Sequence, residues 1–206
     1  MHRKEAMDLP IPAPTPTALA GARLSIGGKL YPKTPMTRYV AFLRGVSPLN
    51  AKMTDLKRCF QSAGLTEVKS VLGSGNLVFS SRISSSSVLQ QKAEASMLNG
   101  VGRSFYTIVR SVEALRAMLD DNPFAEFDLP ADAKRVVTFL REPIIRTLSF
   151  PVVLEGAQIL AASQTEVFTA YRPQPGNPVF MKLIEQTLGK DATTRTWETI
   201  RKCTNA

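Results

Sequence analysis

Val71 to Ser80 reads VLGSGNLVFS, and the fold turns on whether Gly73 and Gly75 end a strand before a helix or join two strands. A phosphate-cradling glycine loop requires the first arrangement, because the chain must leave the glycines into a helix whose unpaired amides and dipole face the anion. Here the chain runs on into NLVFSS, an apolar run of strand type. The glycines then supply positive φ in a hairpin. Their spacing fits neither G-x-G-x-x-G nor a lysine-bearing Walker loop. The stretch is read as a turn between strands.

Working outward, RYVAFLRG is a strand, and MTDLKRCFQSAG follows as a helix with Leu56, Phe60 and Ala63 at helical spacing, closed by Gly64. EVKSVLG enters the quoted turn and NLVFSS leaves it. SSSSVLQQKAEASMLNG is a helix opening on a serine cap and closing on Gly100, and RSFYTIVR is a fourth strand. The order β-α-β-β-α-β is the ferredoxin-like one. From Ser111, SVEALRAMLDDNPF reads as a helix and KRVVTFL as a strand, followed by a proline-interrupted link with a turn of helix at IIRTLSF. AQILAAS and EVFTAYRP read as paired strands, VFMKLIEQTLG as a helix, and ATTRTWETIRKC as a last helix capped by Thr193 or Thr194. The predicted fold is α+β: two ferredoxin-like α/β-sandwich subdomains in tandem, residues 36–110 and 111–206, with antiparallel-rich sheets and helices packed on one face. The alternation of elements suggests one unit used twice, without a repeat in the letters. Residues 1–35, rich in proline and without period, are read as a disordered tail, and ordered patterning begins after Met36, a candidate natural start.

The 206 residues are 44% hydrophobic and 21% charged, the composition of a soluble globular protein, and no apolar run reaches the roughly 18 to 20 residues of a membrane span. No membrane partner is expected. The net charge of +9 gives weight to an anionic small molecule or nucleic acid as partner, against the plainer reading of a scattered positive surface that confers solubility. Cys59 and Cys203 stand far apart in no CxxC pairing and read as buried thiols of a reducing cytoplasm. His2 is the sole histidine, so histidine triads and histidine metal sites are not expected. The acids Asp120, Asp121, Glu126 and Asp128 read as a solvated turn. No cofactor, no metal and no catalytic residue is assigned.

The topology makes the first and third strands central antiparallel neighbours, so Arg44 and Asn76 share one end of the sheet. The start of the next helix brings Lys52 and Thr54 to the same edge, near the amides of Ser74 and Gly75. These six residues are the candidate anion site. The alternative is that Arg44 caps carbonyls at a strand end and Asn76 bonds within its own turn. An RNA-recognition sheet is disfavoured: LGSGNLVF overlays its third-strand motif, but Leu72 replaces the cation, and Ser74 and Asn76 replace the stacking aromatics.

The set RYVAFLRG, KMTDLKRCFQSAGLTEVKSVLGSGNLVFSS, NPF at Asn122 to Phe124 and TTRTWETIRK resembles the bacterial family called domain of unknown function 1697, over about residues 37 to 203. The resemblance implies two α+β subdomains of ferredoxin-like character, and no activity. VSPLNAK departs from the asparagine and glycine-rich loop usual in the family, and Thr196 stands where asparagine is usual. The C-terminal Arg195 and Trp197 are a second candidate for ligand contact, against a helix-anchoring role for Trp197 and a carboxylate or chain-end partner for Arg195. The functional expectation is a binding module for a phosphate-bearing or nucleic-acid ligand. The alternatives are a metal-independent enzyme acting on a small molecule in the cleft between the halves, and a protein-interaction module.

Overall fold

A computed structural model describes residues 23–26, 29–32, 35–145, 148–174, 176 and 178–206. The chain divides into two units, 1–35 and 36–206. In the first, β1 (Arg23–Ile26) and β2 (Lys29–Pro32) form an antiparallel hairpin. The rest of the expected tail lies outside the described residues, apart from Pro35.

In the second unit, β3 (Thr37–Leu43), α1 (Met53–Ser62), β4 (Thr66–Ser70), β5 (Asn76–Ser81), α2 (Ser86–Val101) and β6 (Thr107–Ser111) build a four-stranded antiparallel sheet of order β4-β5-β3-β6. The quoted turn joins β4 to β5, and β3 lies centrally with Phe42 opposite Asn76. Ser85 caps α2 by accepting from the Val88 amide at 3.4 Å. The helix ends on Gly102 in the left-handed region, two residues beyond the predicted Gly100.

After α3 (Val112–Asp121), the strands β7 (Lys134–Leu140), β8 (Val152–Leu154), β9 (Ala157–Ala162), β10 (Glu166–Tyr171) and β11 (Ala192–Thr196) form a second antiparallel sheet of order β11-β7-β10-β9-β8. The helix α4 (Val179–Leu188) joins β10 to β11, and α5 (Trp197–Thr204) ends the chain. The predicted last helix is thus a strand and then a helix. The β-branched run at Thr193 and Thr194 pairs with β7, and the cap is Thr196, which accepts from the Thr199 amide at 3.2 Å. No helix forms at Ile144 and Ile145 in the β7–β8 link.

The second sheet repeats the first. The order β11-β7-β10-β9 matches β6-β3-β5-β4 strand for strand, α4 answers α2, and the helix that would answer α1 is replaced by the link and the added edge strand β8. With the strands so matched, a repeat in the letters emerges that inspection of the sequence missed. RYVAFLR at 38–44 answers RVVTFLR at 135–141, and RSVEALR at 110–116 answers RTWETIR at 195–201.

Alternation along the strands sets the layers. Tyr39, Ala41 and Leu43 face α1 and α2, packing on Leu56, Phe60, Leu89 and Met97. Val40 and Phe42 face the other sheet, meeting Val137 and Phe139 of β7 in a core closed by α3 and α5. The far face of the second sheet packs on Phe180, Leu183 and Ile184 of α4. The halves are therefore joined sheet to sheet. The Phe42 and Phe139 rings stack at the junction, centroids 4.6 Å apart and 17° from parallel, an arrangement worth about 1 kcal/mol beyond area burial.

Candidate functional site

Each half sends an arginine from its last strand into the other half. Arg195 on β11 lies on the face of the second sheet that looks at the first, opposite Val137. Its Nη2 donates to the carbonyls of Leu43 at 2.8 Å, Gly75 at 3.2 Å and Ser74 at 3.4 Å, and its Nε donates to Asn76 Oδ1. Its Nη1 donates to Thr193 Oγ1 and the Thr194 carbonyl, both at 2.7 Å, and the guanidinium lies 5.3 Å over the Phe42 ring. Arg110 on β6 answers it. Nε donates to Glu166 Oε1 at 2.7 Å and Nη2 to the Leu140 carbonyl at 2.7 Å, with the guanidinium 5.7 Å over Phe139. The contacts are reciprocal, as across a twofold interface.

Burial gives these arginines their character. It pulls the Arg195 guanidinium down to about 10, with only the Cys203 thiol acting upward, and pushes Cys203 up to about 11. Burial also pushes at the Glu166 carboxyl. Hydrogen bonds from Ser163, Arg110 and Thr165 and the Arg110 charge outweigh it, so this carboxyl ends below its ordinary value.

A second reciprocal pair lies at the strand ends. Arg141, just past β7, meets Glu94 of α2 in an ion pair, donates through Nη2 to the Thr107 carbonyl at 2.7 Å, and stacks 4.0 Å over the Tyr106 ring. Glu94 also accepts from the Thr107 amide at 2.8 Å. Burial raises the Tyr106 hydroxyl above its ordinary value against the pull of Arg141. Arg44, just past β3, meets Glu185 of α4 at 3.7 Å. Arg44 and Glu185 are 34% and 40% exposed, and the Arg44 side chain makes no hydrogen bond among the described residues. Beside it opens a cleft of about 260 Å³ whose wall includes Gly45, Ile184, Lys190 and Thr194, with Arg195 at its edge.

The predicted site residues divide accordingly. Arg44, Gly75 and Asn76 do share one end of the sheet, and the Leu43 amide donates to the Gly75 carbonyl at 2.8 Å. Gly75 has φ +77, and a Cβ on it would stand 2.9 Å from Val46 Cβ, so the turn needs glycine there. Asn76 is fully buried, its Nδ2 donating to the Val71 carbonyl at 2.9 Å and Ser74 Oγ at 3.3 Å while its Oδ1 takes Arg195. The turn and Arg195 thus satisfy each other. Lys52 and Thr54 are exposed at the start of α1, and among the described residues no hydrogen bond or ion pair ties them to Arg44 or the turn. Trp197 is buried edge-to-face on Phe124, centroids 5.1 Å apart, and anchors α5.

The family described as protein of unknown function (DUF1697) matches residues 36–158. The chain belongs to that family. No curated protein matches. Among solved structures, one titled as the structure of conserved bacterial protein SP0830 from Streptococcus pneumoniae is 21% identical with a TM-score of 0.62, covering 83% of this chain and 98% of that one. That likeness concerns the fold. Among the described residues no helix is long and apolar enough to cross a membrane.

Sequence reasoning missed Glu185, Lys190 and Thr194 as cleft residues, because each reaches Arg44 only through the packing of the two halves. The signal available was the paired strand-end arginine in RYVAFLR and RVVTFLR, each followed along the chain by a second-helix glutamate.

Proposed function

We propose that this member of the family is a binding module for a small anionic ligand, an organic phosphate or carboxylate, held at Arg44 with Lys190 beside it. One observation carries the reading: a half-exposed guanidinium in an open cleft, with one distant carboxylate as its partner, while its counterpart Arg141 is fully engaged. A guanidinium fork matches the paired oxygens of phosphate or carboxylate, and such charge-assisted hydrogen bonds are among the strongest available. Arg195 adds positive field at the cleft edge while its donors stay with the carbonyls. The ferredoxin-like reading of each half and a cytoplasmic location, argued from the two buried free thiols, belong to the same proposal. Nucleic acid would need a continuous basic surface, and the open guanidinium favours a small ligand.

Calorimetric titration with inorganic phosphate and pyrophosphate, at low and physiological salt, tests it. Binding should weaken with salt, and Arg44→Ala should weaken it about tenfold or more. Wild-type protein that binds neither anion, or an Arg44→Ala protein that binds them equally well, overturns the reading.

A further inference from the structure

Two cavities share lining residues at the last turn of α4. Glu185 and Gly189 line both. The smaller holds Arg44 and Lys190. The larger, about 600 Å³, is lined by the apolar Leu140, Ile144 and Leu188, by the ring of Tyr106, and by polar side chains that include Glu142, Gln186 and Asp191. Gly189, with φ +82, lines both, and a Cβ built on it meets no atom within 4 Å.

The two cavities differ in charge. The smaller carries Arg44, Lys190 and Arg195 against Glu185, whereas the larger carries Glu142, Glu185 and Asp191 against Arg141. Arg141 is already taken by Glu94 and the Thr107 carbonyl. An anion therefore has an anchor in the smaller cavity, and a second anion in the larger one would face carboxylates without a free cation. The lining mixes apolar side chains with polar ones, and its apolar part suits a neutral ring or branched body.

We infer that the two cavities form one two-chambered site for an amphiphilic ligand. Its anionic head lies at Arg44 and Lys190, and its neutral, ring-bearing body lies against Leu140, Ile144 and Leu188. This rests on the anion reading above and names the ligand class for the same site. Discrimination comes from both chambers: the cations select the head, and the carboxylates reject a body with a second negative end.

The test compares inorganic phosphate, phenyl phosphate and benzoate by calorimetry on the full chain, with methyl NMR of Ile144 and Leu188 as a second readout. Phenyl phosphate should bind about tenfold or more tightly than inorganic phosphate, since the ring buries apolar area that the ion lacks. It should shift the Ile144 and Leu188 methyl signals, which inorganic phosphate should leave in place. Ile144→Ala should reduce the advantage of phenyl phosphate over inorganic phosphate, since it removes apolar area that only the ring meets. Benzoate against phenyl phosphate shows whether the head is carboxylate or phosphate. Equal affinity for phosphate and phenyl phosphate, with unmoved methyl signals, overturns the two-chamber inference and leaves the anion reading intact. Absence of binding by all three overturns both.

Discussion

The two strand-end corners of this molecule occupy matched places in a repeated scaffold and end in different states. At the Arg141 corner the guanidinium has a carboxylate, a carbonyl and an aromatic ring. At the Arg44 corner it has a carboxylate at 3.7 Å and open space. The cause is local. Tyr106, one residue before β6, gives Arg141 its stacking surface, and the residue in the matching place before β11 is Asp191, which has no ring. Gly45 likewise stands where the other half has Glu142. The repeated scaffold holds two equivalent corners, and a few side chains set which one is locked as a strut and which one keeps open space beside its guanidinium.

The largest effect tests the struts that make the comparison valid. Arg195→Ala removes the guanidinium donor from the Leu43 carbonyl and from Asn76 Oδ1, and leaves the Gly75 carbonyl with the Leu43 amide alone. The loss should be about 3 to 5 kcal/mol in urea unfolding. Arg195→Lys should recover only part of this, because one ammonium cannot span acceptors set out for a planar fork. A loss below about 1 kcal/mol would mean that water replaces the guanidinium, and the junction would not depend on it. Next comes the locked corner: Arg141→Ala removes an ion pair, bonds to the Thr107 carbonyl and the stack on Tyr106, and should cost about 2 to 3 kcal/mol by the same measurement.

Much of the first half was legible in the sequence. The apolar run of RYVAFLRG and the strand character of NLVFSS after the glycines, placed in the β-α-β-β-α-β order, led to the central pairing and with it to the nearness of Arg44 to Asn76. The segment ATTRTWETIRKC was not legible as strand then helix, because the helical spacing of Trp197, Ile200 and Cys203 hides that Ala192 to Thr196 is an edge strand with its pattern set by β7. The repeat escaped because RYVAFLR and RVVTFLR lie far apart, and the second lacks the helix that follows the first. Asn76 and Arg195 were named as separate candidates, and only the packing of sheet on sheet shows that they bind each other. The cleft was out of reach for the same reason, since its walls come from the end of β3, from α4 and from β11.

An acid titration sharpens the contrast between Glu166 and its neutral counterpart Asn76, which occupy the same place in the two halves. The Glu166 carboxyl lies below its ordinary value of 4.5 in the folded protein, held there by Ser163, Arg110 and Thr165 against the effect of burial. A carboxyl depressed on folding contributes stability that is fully present above 4.5 and is lost as pH falls through the folded value. Glu166→Gln should therefore cost about 1 to 2 kcal/mol near neutrality. The difference from wild type should shrink as pH falls below 4.5. Parallel pH profiles for the two proteins would show that the carboxylate charge contributes nothing to the Arg110 strut.

The smallest expected effect is the one that decides whether the second corner is open. Arg44→Ala should change the unfolding free energy by no more than about 0.5 kcal/mol, the usual scale for a half-exposed ion pair. A double-mutant cycle with Glu185→Ala should give a coupling of similar size or less, since the two side chains are 3.7 Å apart and partly in water. The same cycle on Arg141 and Glu94 should give a clearly larger coupling. If the Arg44 coupling instead equals or exceeds that of Arg141, its guanidinium is bound into the fold no less firmly. A ligand would then have to break that pair before binding, and the asymmetry between the two corners would lose its functional meaning.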